Sequence, residues 1–538
     1  MTINLNENWV MNKCGDEEKF TCSVPCSVYK TLLEHGKMQN PYWRENEYIS
    51  TSICDDDYEF STVVRVDKDI LSHENLRLVF DGIDTLGEVY LNGKLIGTTD
   101  NMHRIYEFDV KELLHTGENS LKVKISSPNR YIAKKQEERP LWGVNSTMEG
   151  YTHLRKAHCM FGWDWGPKLP DMGIWRDVRL ECYSYGRILD VHYTQSHSED
   201  AVEVSCDVHV EGCGCDRAAV EIYSPDGNLE CSQSVDISGG GEYHKFKCTV
   251  ENPQLWWANG YGEQPLYKCV VRLIKDEKTI DENTARIGLR TLTISRDKDK
   301  WGEEFCFKLN GKKIFAMGGN YIPEDQIVTR CTEKRTRKLL EQCASANFNF
   351  IRVWGGGYYP DDYFYDCCDE LGLIVWQDFM FACSAYLLTE EFEKTVRAEV
   401  RDNIIRLRNH PSLGMWCGNN EIESAWEYWG LPDDPQSKAD YLRQFEEIIP
   451  ALVKEYSPEI FYWPSSPSSG GGFKDSSSNH AGDMHYWDVW HNLKPIEDFR
   501  KYYYSLCSEY GFESLPDIKT VREFADEDMG DFDMMSPV

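Results

Sequence analysis

A chain of 538 residues is too long for one ordinary domain and, at roughly 150 residues per domain, predicts three or four. Its 58 basic and 90 acidic side chains leave a formal charge of −32, which repels phosphate backbones and anionic lipid surfaces and argues against nucleic acid or membrane partners. Hydrophobic residues at 41% suffice for real cores, and 17 Trp with 30 Tyr either fill those cores or offer rings on which the C–H faces of a neutral glycoside pack.

From the N-terminus the predicted elements are short alternating strands broken by turn residues. Asn75–Phe80 and Ser120–Ile125 alternate cleanly, and Asn92-Gly93 between Val89-Tyr90-Leu91 and Leu95-Ile96-Gly97 signals a hairpin. Residues 1–185 therefore read as an antiparallel, jelly-roll-like β-sandwich. A second β-rich stretch, 186–292, carries strands at Val202–Val210, Ala219–Tyr223 and Leu266–Ile274, with the spacing of an immunoglobulin-like sandwich. After Thr293 strands and helices alternate. Lys313–Gly318, Phe348–Val353, Leu373–Trp376, Leu413–Cys417, Ile460–Trp463, Met484–Trp487 and Tyr504–Cys507 read as strands. Helices at Glu333–Ala346, Asp361–Leu371, Glu390–Arg408, Ala439–Glu455, Ile496–Tyr503 and Ile518–Phe524 follow most of them. About seven β/α units over 293–538 predict a (β/α)8 barrel lacking its last strand.

The 20 cysteines are irregularly spaced, with no Cys-x-x-Cys pair, and several read as small apolar core residues. Met1–Asn6 has neither a basic nor an apolar leader region, and no run approaches a membrane span. A reduced, cytoplasmic protein is expected. No His-Glu-x-x-His or similar ligand cluster is present, so neither metal nor cofactor is expected.

In such a barrel the chemistry sits at the C-terminal ends of the strands. Those ends carry Asn320, Arg352, Trp354, Trp376, Asp378, Asn419, Asn420, Glu421, Trp463, His485, Trp487 and Glu509. Glu421 ends strand four and Glu509 ends strand seven, which face each other across the barrel mouth. Two carboxyl groups flanking one bond are what glycoside cleavage requires. Glu423, Glu427 and Glu513 read as flanking surface groups.

The motifs here are specific. Arg406-Leu407-Arg408-Asn409-His410-Pro411-Ser412, leading to Gly418-Asn419-Asn420-Glu421, resembles the strand-four motif of the β-mannosidases of glycoside hydrolase family 2. Gly319-Asn320-Tyr321-Ile322-Pro323-Glu324-Asp325, Arg352-Val353-Trp354-Gly355-Gly356-Gly357 and Val375–Cys383 are similar to that family's first three barrel strands. Leu255–Gly262 resembles the end of its immunoglobulin-like domain, and Phe161–Pro167 a loop by which its first domain reaches the active site.

The resemblance implies an exo-acting, retaining β-mannosidase that releases terminal β-mannose from small carbohydrate substrates. It assigns Glu421 as acid/base and Glu509 as nucleophile, Asn420 to the sugar 2-hydroxyl, and Arg352 to support of the nucleophile. Trp376 would wall the mannosyl site, Trp429 would lie near its rim, and Trp163 and Asp164 would contact the sugar's far hydroxyls. On strand six His485, Tyr486, Trp490 and His491 are all open, with His491 favoured. Two rivals stand beside this reading: a related exo-glycosidase, such as a β-glucosaminidase or β-galactosidase, and a non-catalytic sugar-binding fragment. The family continues past the position of Val538, through strand eight and further β domains, so an open barrel with loosened edges is expected.

Overall fold

Alternation builds the first layer. In Tyr58–Val66 every second side chain, from Tyr58 to Val66, is buried, so one face of this strand meets the core and the other meets solvent. The computed structural model, which describes residues 1–212, 214–432, 434–512, 515–533 and 536, places this strand inside a six-stranded antiparallel sheet. Its order is Phe20–Cys22, Trp9–Lys13, Tyr58–Val66, Gly117–Ile125, Gly87–Leu91, Lys94–Thr98. A four-stranded sheet of Thr2–Asn4, Val178–Tyr183, Asn75–Phe80 and Tyr106–Asp109 covers it over a core that includes Trp9, Phe60, Phe80 and Leu121. The expected hairpin forms at Asn92-Gly93, where both residues take positive φ (+51° and +78°), as a two-residue type I′ turn demands.

The second sandwich sets Arg187–His197, Ala201–Glu211 and Tyr243–Glu251 against Leu229–Asp236, Arg217–Tyr223, Tyr267–Lys275 and Lys278–Ile287. Cys231 and Cys248 are joined as a disulfide between its two sheets, so the expectation of reduced thiols fails at this pair.

The expected strand Lys313–Gly318 is divided in two. The chain turns at Asn310-Gly311, both with positive φ, and Lys312–Ile314 runs back antiparallel along Cys306–Leu309, which also pairs with Leu292–Ser295. Phe305, Phe307 and Leu309 of this ribbon pack under the barrel against Phe350, Ile374, Trp376 and Trp463.

The parallel strands above it are β1 (Gly318–Tyr321), β2 (Phe350–Val353), β3 (Ile374–Asp378), β4 (Leu413–Cys417), β5 (Phe461–Trp463), β6 (Met484–Tyr486) and β7 (Cys507–Tyr510). β1 to β5 form one continuous ladder and β6 pairs with β7. β2, β3 and β4 are buried along their whole length, as parallel strands covered on both faces must be. β7 meets β1 through a side chain, Asn320 Nδ2 donating to the Ser508 carbonyl at 3.2 Å. Phe315, just before β1, and Tyr510, at the end of β7, stand well exposed. The expected helix Ala439–Glu455 runs as Pro435–Leu442, one π-helical stretch Arg443–Ile448, and Ile449–Tyr456. Pro450 lacks the N–H that an unbroken α-helix would need there, which accounts for the wider turn. Among the described residues no helix is long and apolar enough to cross a membrane.

The first sandwich docks on the barrel mouth. Arg155 pairs with Glu399 of helix Glu390–Leu407, both fully buried, and the Tyr151 hydroxyl donates to the Cys383 carbonyl. That contact carries the loop around Trp163 to the C-terminal ends of the strands.

Candidate active site

Glu421 follows β4 at a constrained point of the backbone. Asn420 bridges Ala382 on one side and Ser466 on the other, which extends the ladder beyond the strands. Glu421 then turns into the left-handed region (φ +61°) and opens helix Ile422–Tyr428. For a residue with a side chain that conformation costs about 1–3 kcal/mol, and here the Glu421 N–H is held by the Ser466 carbonyl at 2.8 Å. The carboxyl group is fixed from two sides. Oε1 lies 2.8 Å from His485 Nδ1, while Oε2 lies 3.3 Å from both Cys383 Sγ and Asn420 Nδ2. Burial pushes its pKa up.

Glu509 sits within β7 and is held by a cation. Arg352 Nη1 donates to Glu509 Oε1 at 2.5 Å, and Trp487 Nε1 donates to Oε2 at 3.1 Å. The guanidinium is itself buried and paired. Nη2 donates to Asp378 Oδ2 at 2.7 Å and to Asn420 Oδ1 at 2.8 Å, and Nη1 also reaches Asn320 Oδ1 at 3.1 Å. Burial raises the pKa of Glu509 and the nearby Glu421 adds to it, while His485 and Arg352 pull it back. These contacts bring Arg352, Asn420, Glu421 and Glu509 into one cluster.

The two carboxyl groups are close. One oxygen of Glu421, one of Glu509 and a ring nitrogen of His485 lie within 4.8 Å of one another. His485 Nδ1 stands 3.4 Å from Glu509 Oε2, so this ring touches both acids, and burial lowers its pKa to about 4.

Other expected positions differ in detail. Trp376 is fully buried, so it does not wall the site. It packs among Phe305 and Phe350 and donates from Nε1 to Asp378 Oδ1 at 2.8 Å, a support beneath Arg352. On strand six the residue against the carboxylates is His485, whereas His491 lies exposed in helix Asp488–His491 with its ring beside Trp487. Alternation is the signal that distinguishes them: His485 and Trp487 are two apart and both reach the site, and a residue on the following helix does not share that direction. Asp378, read from the sequence at the end of strand three, takes its place beside Arg352.

Trp429 is exposed at the rim, its ring 6.3 Å from that of Trp142 of the first sandwich. The hairpin of Phe161–Trp163 with Gly166–Lys168 brings Trp163 edge-on to Trp354 at 4.7 Å, with Trp165 at 5.6 Å and Asp164 exposed between them. Glu423 is not a surface group. It is fully buried, accepts from Ser468 Oγ and the Phe473 N–H, and burial raises its pKa to about 7. Glu427 likewise accepts from the Asp475 and Ser476 N–H groups, and Glu513 lies outside the described residues.

Two groups of three side chains are close enough to share a metal ion among the described residues: Glu421, His485 and Glu509, and Asp366, Asp369 and His410. In the second group Asp366 already pairs with Arg286 and Asp369 with His410.

Comparison with known proteins bears on this arrangement. Residues 9–176 match the galactose-binding domain-like model of glycosyl hydrolase 2, and residues 186–290 match the glycosyl hydrolases family 2 model. The chain is 34% identical to Beta-mannosidase B of Emericella nidulans, an alignment covering 97% of this chain and 64% of that protein. The chain belongs to glycoside hydrolase family 2. Beta-mannosidase B of Aspergillus clavatus is also 34% identical, over 95% of this chain and 62% of its own length. This family 2 chain thus spans a little under two thirds of the curated relatives it matches. The crystal structure of a β-D-mannosidase from Dictyoglomus thermophilum superposes with a TM-score of 0.93 at 34% identity, covering 98% of this chain and 65% of that one. An exo-chitosanase from Amycolatopsis orientalis, 17% identical with a TM-score of 0.71 over 98% of this chain and 60% of that one, shares the fold alone.

Proposed function

We propose that this family 2 chain is an exo-acting retaining β-mannosidase, hydrolysing terminal non-reducing β-mannose by double displacement. The observation that carries the reading is the approach of one Glu421 oxygen to within 4.8 Å of one Glu509 oxygen. So close an approach of the nearest oxygens supports the close-set pair of a retaining glycosidase, whose carboxyl groups stand about 5–5.5 Å apart, over the wider pair of about 6.5–9.5 Å that leaves room for a water in an inverting one.

In the first step the Glu509 carboxylate forms a bond to the anomeric carbon while Glu421 gives its proton to the glycosidic oxygen. The carbon–oxygen bond breaks and the aglycone leaves as an alcohol. In the second step the Glu421 carboxylate takes a proton from water, the hydroxyl oxygen attacks the anomeric carbon, and Glu509 departs as a carboxylate. The surroundings support these roles. The Arg352 guanidinium and the Trp487 N–H favour an ionised Glu509. Glu421 meets no cation at hydrogen-bond distance among the described residues, and its burial favours the protonated form.

Identity to β-mannosidases over nearly the whole chain supports mannose as the sugar. The tryptophans from the first sandwich at the rim favour a short pocket for one terminal unit. Hydrolysis of matched aryl β-mannoside, β-glucosaminide and β-galactoside substrates tests this. Preference for the mannoside supports the reading, and preference for either other sugar or no turnover at all overturns it.

A further inference from the structure

Behind Glu421 lies a chain of hydrogen bonds that the two displacement steps do not use. Asp483 is fully buried, and its Oδ2 lies 2.7 Å from Ser466 Oγ and 2.5 Å from Ser508 Oγ. The other oxygen, Oδ1, accepts from Trp463 Nε1 at 2.8 Å and from the Ser468 N–H at 3.0 Å, so this carboxyl group serves as an acceptor and the Ser466 hydroxyl hydrogen points at it. Ser466 Oγ also lies 3.0 Å from His485 Nε2. Having spent its hydrogen on Asp483, that oxygen accepts, so Nε2 must carry a hydrogen. A neutral imidazole protonated at Nε2 has a bare Nδ1. That bare nitrogen faces Glu421 Oε1 at 2.8 Å.

The other Glu421 oxygen agrees. Oε2 is met by the Asn420 amide and the Cys383 thiol, and burial pushes the Cys383 pKa well up, so it remains a donor. Donors around Oε2 and an acceptor at Oε1 are the surroundings of a carboxylic acid whose hydrogen sits on Oε1.

We propose that Asp483 and Ser466 lock His485 in its Nε2–H tautomer, and that His485 Nδ1 thereby accepts the Glu421 hydrogen and keeps this residue an acid in the resting enzyme. His485 is a positioning residue here. It exchanges no proton with substrate and holds the acid's hydrogen until a glycosidic oxygen takes its place. The inference rests on the reading of Glu421 as the acid/base.

The charged groups around the pair come from several elements. Arg352 on β2 and His491 on helix Asp488–His491 favour an ionised Glu421, and Glu509 on β7 opposes a second charge beside it. His485 faces Glu509 and Asp483, which favour its charged form, against burial and Arg352, which oppose it and dominate.

The test has two arms. In the wild-type chain labelled with 15N-histidine, and assigned by difference from His485→Gln, NMR at neutral pH should find Nε2 protonated and Nδ1 bare. A protonated Nδ1 would overturn the proposal. In Ser466→Ala the lock is gone, and the ring is free to donate from Nδ1 to an ionised Glu421. The protonated-carboxyl infrared band assigned by Glu421→Gln should then titrate about one pH unit or more lower, and Ser466→Thr should restore it. An unmoved band would contradict the relay. Neither arm needs turnover, so a chain that cleaves no β-mannoside would sink the proposed function and leave the tautomer decided.

Discussion

Arg352 holds Glu509 by a 2.5 Å hydrogen bond from Nη1 while its Nη2 is anchored on Asp378 at 2.7 Å, so one guanidinium couples β2, β3 and β7 at the barrel mouth. A planar fork can serve both carboxylates at fixed angles, and an ammonium cannot. Arg352→Lys should therefore displace Glu509. Displacement of a reacting group by about 1 Å costs roughly 100-fold, and a loss of that order in kcat is expected with KM little changed. Steady-state kinetics on an aryl β-mannoside check this, and a variant with wild-type kcat would remove Arg352 from the account.

The two carboxyl groups should fail differently when removed. Glu509→Ala should lose turnover on every substrate, because no glycosyl-enzyme bond can form. Glu421→Ala should slow an alkyl or sugar aglycone by about 100- to 10,000-fold in formation of the intermediate, the usual worth of general acid catalysis. An aryl group that departs without protonation should be spared most of that loss. Rates across aglycones of graded acidity give the answer, and equal losses on all of them would exclude the acid role of Glu421.

Glu423 provides a test in stability. Its folded pKa of about 7 lies above the ordinary 4.5, because burial disfavours the charge. The folded state thus binds more protons than the unfolded state between these values, so stability falls as pH rises through that window. Glu423→Gln keeps an acceptor for the Phe473 N–H. It should be more stable than wild type by about 1–3 kcal/mol above pH ~7 and gain nothing below pH ~4.5. Denaturant midpoints at pH 5 and pH 8 measure the difference, and a gap that is the same at both would show that Glu423 carries no buried charge.

Much of this architecture is legible in the sequence, and the exceptions have physical causes. Period-two burial marks the strands of both sandwiches, and Asn92-Gly93 announces its turn because few other pairs tolerate two positive φ angles. The first barrel strand is less legible, because Lys312–Tyr321 is one apolar-rich run that the irregular stretch Phe315–Met317 divides between two sheets. The sequence puts Glu421 and Glu509 at strand ends, where barrel chemistry lies, and the structure brings them together. The sequence leaves His485 among several strand-six candidates and reads Glu423 as exposed. In both cases the deciding partners, Ser466, Asp483, Ser468 and Phe473, come from the loop between β5 and β6, and no periodicity in Glu421–Glu427 reports what folds over it.

The rim of the site makes a further prediction. Trp163 meets the barrel edge-on at Trp354, from a hairpin of the first sandwich. Trp163→Ala should raise KM for a β-mannoside about 10-fold with the melting temperature nearly unchanged, since truncating one ring contact costs about 0.5–1.5 kcal/mol beyond its area. Kinetics and thermal unfolding on the same protein separate these effects. An unchanged KM would detach this loop from substrate binding.

The central claim is that Glu509 forms a covalent bond to the sugar, and trapping that bond tests it most directly. A 2-deoxy-2-fluoro-β-mannosyl fluoride should glycosylate the chain's nucleophile with loss of the anomeric fluoride and then release slowly, because the fluorine at C2 destabilises the electron-poor transition states of both steps. Peptide mass spectrometry of the trapped protein should find one added fluoromannosyl unit on the peptide carrying Glu509, and none in Glu509→Ala. A label on another carboxylate, or sustained turnover with no labelled peptide, would contradict the account.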